Sequence, residues 1–336
     1  MAAPTCARAP ALPAARGPLS EAVRALLLAA PVASAGRPVP PVDGDPWGED
    51  HQLALYTCYE LHYRGFAGVD PDLEWHPELL ALRRALEGPV LAELRAATRP
   101  VPPLAELLDG LLIEPHRGTG LSHFLLAEGT RAQAREYLVH RSLYHLKEAD
   151  PQAWAIPRLP AAAKAAFVAI EFDEYGAGRP ERLHATLFAE MMADFGLDPA
   201  YGHYVDVAAA PAFAVVNLMS MFGLHRALRG ALVGQFATVE ITSSPGSARL
   251  AAAFERLGAG PAGTRFHREH VEADAVHEQL VRHGVIRALL AAEPELAADV
   301  AFGVAATGVV EERLSEHLLG CWRAGKSSLR GGAGLA

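Results

Sequence analysis

The segment from Phe266 to Leu280, FHREHVEADAVHEQL, carries three histidines and several acids along one amphipathic stretch. His270, Asp274 and His277 are spaced i, i+4 and i+7, so on a helix their side chains fall within an arc of about 60°. Imidazole and carboxylate groups together suit a divalent metal such as iron, zinc or manganese. His267 would extend the same stripe by one turn. The alternative is a partly solvated, charged helix face.

Three further residues have the chemistry of metal ligands. Glu240 lies in an apolar segment, and buried carboxylates are rare unless they are paired or metal-bound. Glu174 is near the C-terminal end of a predicted helix, where the helix dipole disfavours an anion. His184 follows ten residues later in an apolar stretch. Each alone also fits an ordinary role, as an acid that reaches water or a hydrogen-bonded core histidine, so the metal hypothesis depends on the set.

The elements that must position these residues are helices. The apolar residues recur with a period of about 3.6 nearly everywhere, and alternating strand patterns are missing. The sequence therefore predicts an all-α protein with breaks at Asp150-Pro151, at 176–180 and at 243–246. The predicted helices run near 46–66, 76–97, 101–113, 120–149, 159–174, 179–195, 211–223, 226–243, 245–257, 265–283, 285–292 and 296–324.

Composition divides the chain into three parts. Residues 1–44 are rich in Ala, Pro and Gly and predict a disordered arm and linker with a possible short helix. Residues 45–324 predict a single helical domain, with N-terminal helices over 45–115 and a metal-binding bundle over 120–324. Residues 325–336 predict a flexible tail.

Charge and cysteine content narrow the class of protein. The net charge is −9 with no Lys/Arg-rich stripe, which argues against nucleic acid as a partner. No run of about 18 apolar residues predicts a membrane span. The three cysteines lack metal-binding spacing, as is typical of a reduced compartment, so we expect a cytoplasmic protein. The alternative is export, since ALLLAAPVASAGRP resembles part of a signal peptide; otherwise it belongs to a first helix capped by Ser20.

The ordered set of candidate ligands resembles a known family. Glu174, ten residues to His184, then Glu240, then His270-xxx-Asp274-xx-His277 is similar to the haem-oxygenase-like diiron oxidases and N-oxygenases, also described as iron-containing redox enzymes. The segments EFDEYGAGRPERLHATLF and EHVEADAVHEQL resemble the metal-binding helices of that family, and the resemblance extends from about Tyr56 to about Arg330.

The resemblance implies a haem-oxygenase-like helical bundle with additional N-terminal helices that binds two iron ions and activates O₂. It implies that Glu174, His184, Glu240, His270, Asp274 and His277 ligate iron, and this set is complete without His267. Glu148, in YHLKEADP, matches an extra carboxylate found in some N-oxygenases. The alternative for Glu148 is a helix-end acid beside Lys147.

The implied reaction is oxidation of a small amine or amino-acid-derived metabolite in a biosynthetic pathway. N-oxygenation is favoured because the ten-residue spacing from Glu174 to His184 resembles that side of the family. Desaturation or oxidative C–C cleavage is the alternative. A metal-free, thiaminase-like enzyme and a haem-binding protein remain open as further classes.

The same interpretation extends to the surroundings of the site and to partners. We expect acids beside the ligands, namely Glu171, Asp173 or Glu269, to orient histidine rings, with Tyr175 and Arg182 as weaker candidates. We expect a substrate pocket lined by Asn217, Met219, Met221 and Phe222. The expected partners are a small-molecule substrate, an external electron donor and a second copy of the chain in a homodimer.

Overall fold

A computed structural model describes residues 9–29, 41–114, 118–332 and 334, without the side chain of Ala275. The fold is all-α, as predicted, and the described residues contain no β-strand. A π-helical segment, Val281–Ile286, joins α12 to α13. The helices are α1 (Pro18–Leu28), α2 (Glu49–Glu60), α3 (Pro77–Ala97), α4 (Leu104–Leu111), α5 (Leu121–Ala127), α6 (Arg131–His145), α7 (Asp150–Ala153), α8 (Ala161–Glu174), α9 (His184–Asp194), α10 (Ala210–Leu224), α11 (Arg229–Arg256), α12 (Pro261–Leu280), α13 (Arg287–Ala292) and α14 (Ala297–Arg323).

The long helix α11 is the centre of the bundle and packs against both α12 and α14. Its crossing with α14 depends on two glycines. A Cβ on Gly234 would lie 2.1 Å from the carbonyl oxygen of Val300, and a Cβ on Gly303 would lie 2.0 Å from that of Ala231. Because both obstacles are backbone atoms, only glycine allows this close approach of the two helices.

The N-terminal helices share the core of the bundle. Buried side chains of α1, α2 and α3 belong to the same hydrophobic cluster as those of α10, α11 and α14. Helix α2 packs against α10, and α3 packs against α14. These helices are therefore part of the packed bundle, although none of them contributes a candidate ligand.

The predicted break at residues 243–246 is wrong, because α11 continues through it with Pro245 in its interior. Proline removes one backbone donor and would normally end or kink a helix. Here the neighbouring serines attach α11 to α12: the Ser244 hydroxyl donates to the carbonyl of Val271, and the Ser243 hydroxyl donates to Asp274. The packing against α12 thus maintains the helix where local sequence favours a break.

The predicted single helix over 120–149 is also wrong. It consists of α5 and α6, and Thr130 begins α6 with a capping box in which the Gln133 amide N–H donates to the Thr130 hydroxyl. Helix α6 ends at His145, so Glu148 lies in the turn that follows it. Ala149 in that turn has a left-handed backbone, with φ of 74°.

The described parts of both termini are packed rather than free. The Pro10 carbonyl accepts a hydrogen bond from the Ala67 amide, and Ser328 and Leu329 are buried. The prediction of a disordered arm is therefore wrong for residues 9–16, and that of a flexible tail is wrong for 328 and 329. Residues 1–8 and most of the predicted linker, 30–40, lie outside the described residues.

Helix α1 occupies the segment for which export was the alternative. It begins at Pro18, so the predicted cap at Ser20 is wrong, and the amides of Leu19 and Ser20 donate instead to Asp50. Its apolar side chains Leu19, Val23 and Leu27 are buried in the core. None of the helices described here is long and apolar enough to cross a bilayer.

Candidate metal centre

The turn between α8 and α9 brings two of the predicted ligands together. Glu174 is the last residue of α8 and His184 the first of α9, so the predicted helix start at 179 is wrong. Gly176 has φ of +69°, and a Cβ there would lie 2.7 Å from the backbone nitrogen of Leu183. The turn therefore requires glycine, and it places His184 Nδ1 2.7 Å from Glu174 Oε2.

The ligand stripe predicted on α12 faces the interior. His270, Asp274 and His277 are all buried, as expected from their i, i+4, i+7 spacing. Glu240 on α11 meets this stripe: its Oε2 lies 3.0 Å from His277 Nδ1, and Asp274 Oδ1 lies 3.3 Å from the same nitrogen.

The seven predicted ligands form two clusters that share one carboxylate. Within each cluster the candidate ligand atoms lie within 4.8 Å of one another, and every member is buried. The first cluster contains Glu148, Glu174, His184 and His270; the second contains Glu174, Glu240, Asp274 and His277. Glu174 is therefore the residue that the two clusters have in common.

Two of the histidine rings are held with one nitrogen toward the clusters. His270 Nδ1 lies 2.8 Å from the Phe266 carbonyl, to which it donates, so its Nε2 is the nitrogen that faces Glu148 at 3.7 Å. His277 Nε2 lies 3.2 Å from Asp173 Oδ2 and donates to it, which leaves Nδ1 among the carboxylates. A partner on the outer nitrogen sets the tautomer that a metal-binding imidazole needs.

The carboxylates also have supporting partners, and sequence analysis missed them. His145 Nδ1 lies 2.8 Å from Glu148 Oε1, and Ser243 donates to Asp274. The spacing of His145 and Glu148, three residues apart, was the available signal. Ser243 was hidden because its segment was interpreted as a break between helices.

Of the acids predicted to orient histidine rings, Asp173 alone contacts a ring nitrogen in the described structure. Glu171 is buried, and neither of its oxygens has a hydrogen-bond partner among the described residues. Glu269 pairs with Arg182 at 3.2 Å, and the Tyr175 hydroxyl donates to Asp150. Glu269 and Tyr175 are each one residue away from a candidate ligand and so point to a different side of the helix. Glu171 shares the face of Glu174, three residues later, but contacts no histidine ring in the described structure.

The electrostatics of the clusters show a deficit of positive charge. Burial, followed by the neighbouring carboxylates Glu174 and Asp274, raises the pKa of Glu240 to about 8 despite its hydrogen bond with His277. Burial opposes charge on His277, yet its hydrogen bonds to Asp274 and Glu240 raise its pKa to about 11. The buried carboxylates thus favour protonation of the groups beside them, as expected at a site where bound cations would balance the negative charge.

The local geometry fits bound cations. A void of about 10 Å³ lies between members of both clusters, including Glu148, Glu174, Glu240, His270 and Asp274. Among the described residues, buried Glu148 Oε2 has no hydrogen-bond partner, and His184 Nδ1 contacts Glu174 without hydrogen-bond geometry. These atoms are therefore available as ligands of a cation.

A cavity of about 510 Å³ reaches the clusters at Glu148 and His270. Its walls come mainly from α6, α11, α12 and α14, and many of its side chains are polar. Arg141 and Glu311 form a bidentate pair in the wall, with N–O distances of 2.8 and 2.6 Å. The hydroxyl-bearing residues in the lining are Ser122, Tyr137, Tyr144, Thr238, Thr242, Ser243, Ser247, Thr307 and Ser315.

The predicted pocket lining is mostly wrong, since only Met219 lines this cavity. Asn217 donates to Gln52, and Met221 and Phe222 are buried in the core. The missed signal was two pairs of polar residues with a spacing of four, Thr238 with Thr242 on α11 and Thr307 with Glu311 on α14.

His267 lines the cavity and lies outside both clusters, as expected for a histidine that the ligand set does not need. Its Nδ1 is 3.4 Å from the Ser247 hydroxyl.

Comparisons with known proteins agree with this geometry. A sequence profile described as iron-containing redox enzyme matches residues 135–310. That region is just over half of the 336-residue chain and contains all seven candidate ligands, whereas α1–α5 lie before it. A search of curated proteins found no match. Because the profile and the all-α fold agree, the chain belongs to the haem-oxygenase-like family of iron-containing redox enzymes.

Proposed function

We propose that this protein is a non-haem diiron oxygenase that uses O₂ to oxidise a small amine or amino-acid-derived metabolite, with N-oxygenation as the favoured reaction. The observation that carries the proposal is the position of Glu174, which belongs to both four-residue clusters. Helix bundles build dimetal carboxylate sites in this way, from Glu, Asp and His side chains that project inward from several helices.

The charge of the donor set supports two divalent ions. Four carboxylates, Glu148, Glu174, Glu240 and Asp274, balance the charge of two ferrous ions, and three neutral imidazoles complete the set. When bound by these seven residues, two ferrous ions would supply electrons to O₂. The second cluster has no imidazole besides His277, so it offers mainly oxygen donors.

Tyr144 is the residue best placed to hold a proton between the substrate cavity and the clusters. Tyr144 lines both the 510 Å³ cavity and the small void between the clusters, and its hydroxyl oxygen accepts a hydrogen bond from Gln152 at 3.1 Å. Burial, with Glu148 and Glu174 nearby, raises its pKa well above the usual value. The Tyr144 hydroxyl therefore keeps its proton beside the reacting centre and is a candidate donor to reduced oxygen.

The polarity of the cavity supports nitrogen as the atom oxidised. The hydroxyls of Thr238 and Thr307 donate to carbonyls of their own helices, which leaves their oxygens as acceptors for an amine N–H in a wall whose surface is otherwise mainly apolar. In N-oxygenation one oxygen atom enters an N–H bond to give a hydroxylamine. The other oxygen atom leaves as water, which takes two protons and two electrons from an external donor.

The alternatives have less support. Desaturation or oxidative C–C cleavage on the same centre would remove hydrogen or carbon from the substrate rather than add oxygen to nitrogen. A metal-free, thiaminase-like mechanism would need a reactive group in the cavity. Burial raises the pKa of Cys58 to about 12, and no cysteine of the described residues lines the cavity.

The expected partners and location stay predictions. The reaction needs an external electron donor, and we propose a cytoplasmic homodimer without nucleic acid or a membrane as partner. Size-exclusion chromatography with light scattering measures the oligomeric state directly.

The direct test is iron binding under anaerobic conditions. We expect about two Fe(II) per chain after washing, followed by an absorbance change on exposure to O₂. Less than about one iron per chain would overturn the diiron proposal. The matched control is His267→Gln, which removes a buried histidine beside the site and should retain both ions.

The reaction type is tested on the loaded protein with a panel of amines and amino acids, O₂ and a reductant. Mass spectrometry should show products that gain one oxygen atom, and ¹⁸O₂ should label them. Unlabelled alkene or shortened products would instead favour desaturation or C–C cleavage.

A further inference from the structure

A second opening reaches the candidate metal centre from a different side. It has a volume of about 280 Å³ and shares no lining residue with the 510 Å³ cavity. We call it the vestibule, defined by Asp173, Gly176, Ala177, Arg182, His184, Glu269, Glu272 and Ala273. The substrate cavity touches the clusters at Glu148 and His270, whereas the vestibule touches them at His184.

The vestibule is connected to both clusters. His184, which is only 4 % exposed, lines it and belongs to the first cluster. Its Nδ1 has no hydrogen-bond partner in the described structure, although it contacts Glu174. Asp173 extends the path to the second cluster, because its carboxylate is 53 % exposed and accepts a hydrogen bond from buried His277. A cation that moves inward from the vestibule therefore meets a ligand atom, His184 Nδ1, that is not occupied by a hydrogen bond in the described structure.

The charge of the vestibule is negative. It contains three carboxylates, from Asp173, Glu269 and Glu272, and one guanidinium, from Arg182, which already pairs with Glu269. A cleft lined by one sign of charge concentrates the opposite ion and raises its rate of entry. The substrate cavity is less negative, because two arginines, Arg141 and Arg249, line it beside the three carboxylates of Glu148, Glu311 and Glu312.

We propose that the vestibule is the route by which divalent metal ions enter the centre, separate from the cavity that takes the organic substrate. This proposal rests on the proposed function, since it requires that the clusters bind metal. Carboxylates at the mouth attract the hydrated ion, Asp173 takes it over at the inner end, and His184 is the first buried ligand it meets. Two routes allow metal to load while the substrate cavity is occupied.

The test is the rate of Co(II) uptake by the metal-free protein, followed by stopped-flow absorbance at low ionic strength. Glu272→Gln and Glu272→Lys change the charge at the mouth of the vestibule without altering a candidate ligand. Glu312→Gln and Glu312→Lys are the matched controls, because Glu312 is an exposed helical glutamate that lines the substrate cavity. We expect each unit by which residue 272 becomes more positive to slow cobalt uptake roughly twofold to fivefold. Added salt should reduce the difference in uptake rate between wild type and these variants.

The amount of cobalt bound at saturation tests whether the clusters bind metal, and the rate of uptake tests the route by which it enters. Wild type and all four variants should bind the same amount of cobalt at saturation, and circular dichroism should show equal helix content. Equal rates for the residue-272 and residue-312 series, or slower uptake only in the residue-312 series, would overturn the vestibule as the entry route. If wild type binds no cobalt at saturation, the diiron proposal fails together with the route.

Discussion

Glu174 differs from the other candidate ligands because one carboxylate serves both clusters. His184 contacts its Oε2 at 2.7 Å, and His277 Nδ1 lies 3.8 Å from its Oε1. The other three acids each belong to one cluster: Glu148 to the first, and Glu240 and Asp274 to the second. Substitution of the shared residue should therefore remove both ions, whereas substitution of a residue that belongs to one cluster should remove only one.

We expect Glu174→Gln to abolish nearly all iron binding, and Glu148→Gln to leave about one ion per chain. The amide retains the shape of the side chain but loses the charge that both ions share. Bound iron is measured after anaerobic loading and desalting. The expectation is contradicted if Glu174→Gln retains as much iron as Glu148→Gln.

At the scale of elements, the crossing of α11 and α14 sets the width of the bundle. The two glycines at this crossing allow backbone to meet backbone. Helix α11 also carries Glu240 and packs against α12, so the crossing with α14 helps to position the helix that holds this candidate ligand.

We expect Gly303→Ala to destabilise the protein by about 1–3 kcal/mol, because its Cβ would overlap the Ala231 carbonyl. Gly320→Ala on the same helix is the control. A Cβ there meets nothing within 4 Å, so this variant should be more stable by about 0.5–1 kcal/mol. Urea unfolding measures both, and equal effects would contradict the close crossing.

The turn that carries Glu148 is attached to α2 by a buried ion pair. Lys147 Nζ lies 2.6 Å from Glu60 Oε2, and both side chains are almost fully buried. The Lys147 ammonium also lies 4.2 Å from the ring centroid of Tyr63. An N-terminal helix therefore positions a candidate ligand without touching it.

We expect Lys147→Met to cost about 3–5 kcal/mol of unfolding free energy, because it leaves Glu60 charged and buried without its partner. Lys147→Met combined with Glu60→Gln should recover part of that loss, since the charge is removed from both sides. A double-mutant cycle from denaturant unfolding measures the coupling. Strictly additive losses would show that the pair does not hold the turn.

At the scale of the whole molecule, the C-terminal segment closes the bundle against α6. Glu136 accepts hydrogen bonds from the amide and hydroxyl of Ser328 and from the Trp322 indole. The Ser328 carbonyl accepts one from His317 Nε2 at 2.8 Å. Residues that compositional bias predicted to be flexible are therefore part of the packed structure.

Glu136 should make the stability of this closure depend on pH. Burial alone would raise its pKa, but the hydrogen bonds from Ser328 and Trp322 outweigh burial and hold the pKa below its usual value. The stabilisation is therefore present above the unfolded-state pKa of about 4.3 and is lost as pH falls through the lower folded-state pKa. The stability difference between wild type and Glu136→Gln should shrink toward acid pH. A difference that is constant with pH would contradict this linkage.

The sequence by itself determined the helical class and the inward stripe of α12, which depend on local periodicity and on residue type that a single helix already expresses. The full set of seven candidate ligands followed from the resemblance of their order to a known family, and their role as ligands stays a prediction. The break predicted near Pro245 failed because packing against α12 outweighs local propensity. The tertiary structure alone decided that Glu174 is shared, that His145 and Ser243 support the acids, and that the cavity and the vestibule are separate. Those features depend on which helix faces meet, and contacts between distant segments are not encoded in local spacing.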